Sequence, residues 1–104
     1  MEPFTITRSD DVTQLGLVAS MDLRAAEPLL HSFHEIMAQG GKVVIDASAV
    51  DRLSTPCVQI LLSAAQHMEQ NGISFVIKSP SDSFVTAFDD LGLFSYLMKW
   101  PVQT

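Results

Sequence analysis

Val43-Val-Ile-Asp-Ala-Ser-Ala-Val-Asp-Arg-Leu-Ser-Thr-Pro-Cys-Val-Gln-Ile-Leu-Leu62 runs through three kinds of structure in quick succession. Lys42-Val-Val-Ile-Asp46 is a run of β-branched residues of the sort that fills a buried strand. A short loop follows. Near Thr55-Pro56 a helix begins, because proline is preset for helical φ and its missing N–H costs nothing in the first turn. That helix ends at Asn71-Gly72. A strand that feeds a helix through a loop is the unit of an α/β sheet.

The same alternation continues on both sides. Upstream, Phe4 to Arg8 and Gln14 to Val18 have strand character and are separated by the turn-like Ser9-Asp10-Asp11. Asp22 to Ala25 leads into a helix to about Gln39, with Ala26, Leu30, Phe33 and Met37 at helical spacing, Leu29 and Ile36 beside them, and Gly40-Gly41 as its stop. Downstream, Ile73 to Ile77 reads as a strand. Ser81 caps a third helix whose expected buried face is Phe84, Val85, Phe88 and Leu91. The tail from Leu93 to Trp100 is rich in large apolar residues and is expected either to cover the core or to form a dimer contact. The expectation is one domain over residues 1–104, a mixed β-sheet of four to five strands with helices mainly on one face.

Composition narrows the function. Apolar residues make up 47% and charged ones 17%, which excludes a disordered tail. The net charge is −6, and the six basic residues are scattered from Arg8 to Lys99, so no cationic stripe exists for a phosphate backbone or an anionic membrane. Cys57 is the only cysteine, which forbids an internal disulfide and fits a reducing compartment. MEPFTITRSDD has no basic-then-apolar leader, and the longest apolar stretch, Val58 to Ala65, is broken by Gln59 and Ser63. A cytoplasmic protein is expected.

Few residues suggest chemistry. His31, His34 and Glu35 cluster on the first helix, but a metal site needs further ligands converging from elsewhere. The apolar helix around Cys57 points to a buried structural cysteine rather than an activated thiol. The pairs Asp10-Asp11 and Asp89-Asp90 fall at turns or helix ends. Neither a glycine-rich phosphate loop nor a nucleophile elbow is present. No cofactor, metal or enzymatic activity is expected. Asp46 at a strand end also fits a phosphoacceptor receiver domain. That reading lacks the lysine after the last strand, and the chain is one βα unit short for it.

The quoted stretch resembles the signature of STAS domains, the sulfate-transporter and anti-sigma-factor-antagonist family. Asp46 and Ser48 match the family's strand end, Val50 its loop anchor and Leu53 the residue before its phosphorylation motif, so that Thr55 falls on the phosphorylatable serine. Asp22-Leu23, Ser79-Pro80-Ser81 and Leu91-Gly92-Leu93 extend the resemblance over nearly the whole chain. Ser54, Pro56 and Cys57 replace the motif's aspartate, second serine and glycine. The resemblance implies a non-enzymatic regulatory module that binds an anti-sigma factor acting as a serine/threonine kinase, or, as in stand-alone STAS proteins of bacterial signal transduction, a chemotaxis kinase. The alternative is the STAS subunit of a lipid-transport ABC ATPase complex. A monomer or weak homodimer is expected.

The partner surface is then expected at Asp46, Ser48, Ser54, Thr55, Pro56, Gln59 and Ser63, with Thr55 the candidate phosphorylation site. Capping alone accounts for the junction: Thr55 and Pro56 suit N-cap and N1, or Ser54 caps and Thr55 enters the first turn. The functional reading uses the same free amides, which tolerate a phosphate at the positive end of a helix dipole. Along the second helix, Val58, Leu61, Leu62, Ala65 and Met68 form a core face. Gln59, Ser63, Gln66 and Gln70 form an uncharged polar stripe opposite, where a solvated helix would normally carry Lys and Glu.

Overall fold

The structure, a computed structural model, describes residues 4–103. Strands β1 (Thr5–Ser9) and β2 (Val12–Gly16) form an antiparallel hairpin, with Asp10 at φ 55 in its two-residue turn. A two-residue strand β3 (Ser20–Met21) and a 3-10 turn (Leu23–Ala25) lead into α1 (Ala26–Gln39). Strand β4 (Lys42–Asp46) and the two-residue β5 (Arg52–Leu53) precede α2 (Thr55–Gln70). The chain finishes with β6 (Phe75–Lys78), α3 (Asp82–Asp90), the single turn α4 (Phe94–Leu97) and β7 (Val102–Gln103).

The main sheet has the order β1-β2-β4-β6-β7, antiparallel only at β1. It is the mixed five-stranded sheet expected. The fifth strand, however, comes from residues after Pro101 that have no strand signature of their own, and it forms by joining the edge of β6. The pairs Leu15↔Ile45 and Ile45↔Ile77 place one row of fully buried side chains on a single face. That row joins Leu29, Phe33 and Ile36 of α1, Val58, Leu61 and Met68 of α2, and Phe84 and Phe88 of α3 in one core. Val44 and Val76 point to the other face by the period of two and lie outside that core. Truncating Phe33, Phe84 or Phe88, each fully buried, would cost about 3–5 kcal/mol.

Several boundaries differ from the expectation. The second strand lies two residues earlier than Gln14–Val18, and beyond its end only Leu17 N still reaches β4, donating to Asp46 O at 3.0 Å. On α1 the buried stripe is Leu29, Ser32, Phe33 and Ile36, while Leu30 is exposed. Leu30 lies about 100° round the helix from Leu29 and faces the groove beside α2. Leu91 is also exposed, because the helix has ended and it stands at the C-cap, out of helical phase. The apolar tail divides. Leu97 is buried and Trp100 packs edge-on against Phe75 and Phe88, with ring centroids 5.2 and 5.6 Å away, whereas Phe94, Tyr96 and Met98 face outward. Gly41, at φ 84, is required for a separate reason. A Cβ there would collide with the Asp11 carbonyl, which accepts from Lys42 N at 2.8 Å. Among the described residues, no helix is long and apolar enough to cross a membrane.

Candidate functional site

Gly16, Asp46 and Lys78 stand in register at the carboxyl ends of the parallel strands β2, β4 and β6. From this edge the chain passes into the starts of α1, α2 and α3. In open α/β sheets this is the edge that carries ligand and partner sites.

The loop from β4 to α2 is held from both sides. Toward β3, the amides of Asp51 and Arg52 donate to the Ala19 carbonyl at 2.7 and 3.0 Å, and Ser54 N donates to Met21 O at 2.8 Å. Toward α3, Ser81 Oγ donates to Val50 O at 2.6 Å and Ser81 N to Ala47 O at 3.3 Å. Val50 is buried beneath the loop. With its backbone bonded on both flanks, the loop presents the start of α2 in one fixed position.

Two of the expected partner residues bind each other. Asp46 Oδ1 accepts from Ser48 N at 3.0 Å and Ser48 Oγ at 2.7 Å. These bonds hold the Asp46 carboxyl below its ordinary value, chiefly through the Ser48 hydroxyl, with Lys78 adding a smaller attraction. Asp46 therefore shapes the loop with one oxygen. It also lines a shallow polar depression of about 310 Å³ with Ser48, Thr5, Thr7 and Gln14.

At the start of α2 the cap position belongs to Ser54, so Thr55 is N1 and Pro56 is N2 rather than N-cap and N1. The Ser54 side chain makes no capping bond. Its hydroxyl is buried beside the Cys57 thiol, with no nitrogen or oxygen partner among the described residues. Thr55 is exposed, as are Gln59 and Ser63 one and two turns on, and Gln66 and Gln70 continue the stripe. Pro56 is half-buried. The expected site thus falls into two groups joined by the loop: Asp46 and Ser48 on the strand side, and Thr55, Gln59 and Ser63 on the helix.

Cys57 is fully buried and its Sγ donates to Asp22 O at 3.5 Å, tying α2 to the 3-10 turn. Burial pushes its thiol up, with the Ser54 hydroxyl pulling the other way, as for a cysteine that packs within a core. Asp22 caps that 3-10 turn, accepting from Arg24 N at 3.0 Å and the Arg24 guanidinium at 3.1 Å, and these bonds lower its carboxyl. His31 pairs with Glu35 at 3.4 Å across one helical turn, and no group of three or more metal-ligating side chains exists among the described residues. The sequence announced Ser81 as a cap. Its second bond, to a carbonyl on a distant loop, has no local signal, and neither does the docking of the loop on β3.

A family profile described as "Mlab, STAS domain" matches residues 4–98. No curated protein matches the sequence significantly. Among solved structures, a Thermotoga maritima protein assigned as an anti-sigma factor antagonist superposes with a TM-score of 0.82 at 14% identity, covering 97% of this chain and 86% of its own. A STAS-domain anti-sigma-factor antagonist from Planctomyces limnophilus gives 0.79 at 19% identity, covering 97% of this chain and 89% of that one. The anti-sigma factor antagonist SpoIIAA in its unphosphorylated form gives 0.77 at 15% identity, covering 97% and 88%. At these identities the likeness is one of fold.

Proposed function

We propose, from the premise that this chain belongs to the STAS domain family, that it is a regulatory module that acts by binding another protein and not by catalysis. The partner is an anti-sigma factor with serine/threonine kinase activity or a chemotaxis kinase. It docks on the rim made by Asp46, Ser48, Ser54, Thr55, Pro56, Gln59 and Ser63, and Thr55 is the phosphoacceptor. The observation that carries this reading is the pairing of an exposed hydroxyl at N1 with an uncharged polar stripe along the same helix. Ser54 is the wrong acceptor, because its hydroxyl is buried. A phosphate on Thr55 would add roughly −1.5 to −2 charges at the centre of the docking rim while lying against helix amides that tolerate it. It would eject an acidic or apolar partner without unfolding the domain.

The test compares Thr55→Glu with Thr55→Ala against a purified cognate kinase or anti-sigma factor. Thr55→Ala should bind about as wild type does, and Thr55→Glu should bind at least about tenfold more weakly, a loss of about 1.4 kcal/mol. Equal binding by both variants sinks the switch. A second reading, a subunit held constitutively by a lipid-transport ATPase, is favoured by Ser54 and Pro56 standing where the motif has aspartate and serine. Stoichiometric co-purification with a membrane ATPase, indifferent to both substitutions, would favour it.

A further inference from the structure

The two ends of the main sheet are unlike. At one, β7 offers two residues just after a proline. At the other, β1 is a five-residue strand exposed along its whole length, with no strand beyond its outer edge among the described residues. Edge strands are normally blunted by lysine, proline or a bulge. Thr-Ile-Thr-Arg-Ser contains neither lysine nor proline, and its register with β2 runs without a bulge from Thr5↔Gly16 to Ser9↔Val12. Arg8 does not cover the edge either. Its guanidinium reaches back across the hairpin to Thr13 Oγ1 at 2.7 Å and Gly40 O at 3.3 Å.

We propose that β1 is a homodimer contact, pairing antiparallel with β1 of a second copy about a two-fold axis at Thr7. The hydrogen-bond parity fits. Ser9 and Val12 close the two-residue turn, so Thr5, Thr7 and Ser9 direct their amides and carbonyls to β2, and Ile6 and Arg8 direct theirs outward. Centred on Thr7, Ile6 of each copy faces Arg8 of the other, and all four outward amide and carbonyl pairs are satisfied. Thr7 meets its own copy across the axis, and Thr5 meets Ser9. No like charges oppose each other.

The antiparallel sense follows from charge. Each chain carries a net −6, and the Asp10-Asp11 turn ends β1. Parallel pairing would set two acidic turns side by side, whereas antiparallel pairing places them at opposite ends. A second feature converges on the same edge. Ile6 lies on the helix-bearing face, in line with fully buried Leu15, yet is 40% exposed because α1 does not reach it. An open notch of about 550 Å³ remains there, lined by Ile6, Arg8, Thr13, Glu35, Ile36 and Gln39 among others. A paired strand brings the aliphatic stem of the second Arg8 over Ile6 and extends the contact beyond backbone bonds. A foreign strand could bond the same amides, but only a second copy satisfies the edge with its own residues and closes the assembly at two.

Sedimentation and crosslinking of the whole chain test this. The wild-type mass should rise with concentration from 11.4 kDa toward twice that value. Ile6→Pro removes an outward amide that has no acceptor among the described residues, so it should keep the fold and lose the concentration dependence. Thr7→Cys places two thiols across a non-hydrogen-bonded pair, where Cα atoms approach to about 4.5 Å, within disulfide reach. It should crosslink on mild oxidation faster than Thr86→Cys on exposed α3, and buried Cys57 leaves the wild type without background. A wild type that stays monomeric at every concentration overturns the proposal. So does a Thr7→Cys protein that crosslinks no faster than Thr86→Cys, or an Ile6→Pro protein that dimerises unchanged. Crosslinking decides the matter alone if Ile6→Pro does not fold.

Discussion

The starts of α2 and α3 each place a serine at the cap position in nearly the same extended backbone, Ser54 at φ −75, ψ 158 and Ser81 at φ −70, ψ 162. Only one of them caps. Ser81 Oγ accepts from Phe84 N at 3.1 Å and donates to Val50 O at 2.6 Å, so one hydroxyl closes a helix and fastens a distant loop. Ser54 turns its hydroxyl into the space beside Cys57 and closes nothing. Backbone geometry cannot be the cause of this difference. The start of α3 is finished by the chain itself. The start of α2 has no side-chain cap of its own and lies next to an exposed threonine.

Alanine at the two serines is the strongest test of that contrast. Ser81→Ala removes a cap and a buried bond together, and should lower unfolding free energy by about 1–2 kcal/mol in denaturant titrations. Ser54→Ala removes a hydroxyl that satisfies no amide, and should stay within about 0.5 kcal/mol of wild type. Comparable losses from both would erase the distinction.

Acid should sharpen it on the α2 side. The Ser48 hydroxyl holds the Asp46 carboxyl below its unfolded value, so this stabilisation is present above the ordinary carboxylate pKa and is lost as pH falls through the lower folded one. Hydrogen-exchange protection in residues 47–54, taken relative to the intrinsic rate at each pH, should fall there before protection at Phe84, whose serine cap does not titrate. Asp46→Asn, which keeps an acceptor but no charge, should flatten the response. Early release of Phe84 would contradict the assignment.

How legible all this was in the sequence depends on the range of the forces involved. Lys42–Asp46 coincides with its strand, and the second helix with its start and Gln/Ser stripe, because β-branched runs, proline and glycine act locally. The orientation of the Ser54 hydroxyl was not readable, since it depends on Cys57 and on β3 docking from thirty-odd residues upstream, as in the Cys57 Sγ to Asp22 O bond. Leu30 was misread for a related reason. The helical period gave the stripe's spacing, but its phase was set by where the sheet lay. β7 exists only because β6 offers it an edge.

The smallest effect carries the finest distinction. Thr55→Glu puts a carboxylate at N1 of a helix whose cap residue makes no side-chain bond to its first turn. A negative charge there interacts favourably with the helix dipole, so the variant should be more stable than wild type by about 0.3–0.5 kcal/mol at low salt, with the gain fading as salt screens it. Glutamate introduced on the α3 cap would displace the Ser81 oxygen that already accepts from Phe84 N, and so would bring no comparable gain. Stability and partner binding should therefore move in opposite directions at Thr55. A variant that folds better while its partner lets go has been switched, whereas one that loses both has been damaged. Thermal unfolding of Thr55→Glu beside its binding curve separates the two, and a destabilised Thr55→Glu would mean that the first turn of α2 was never open.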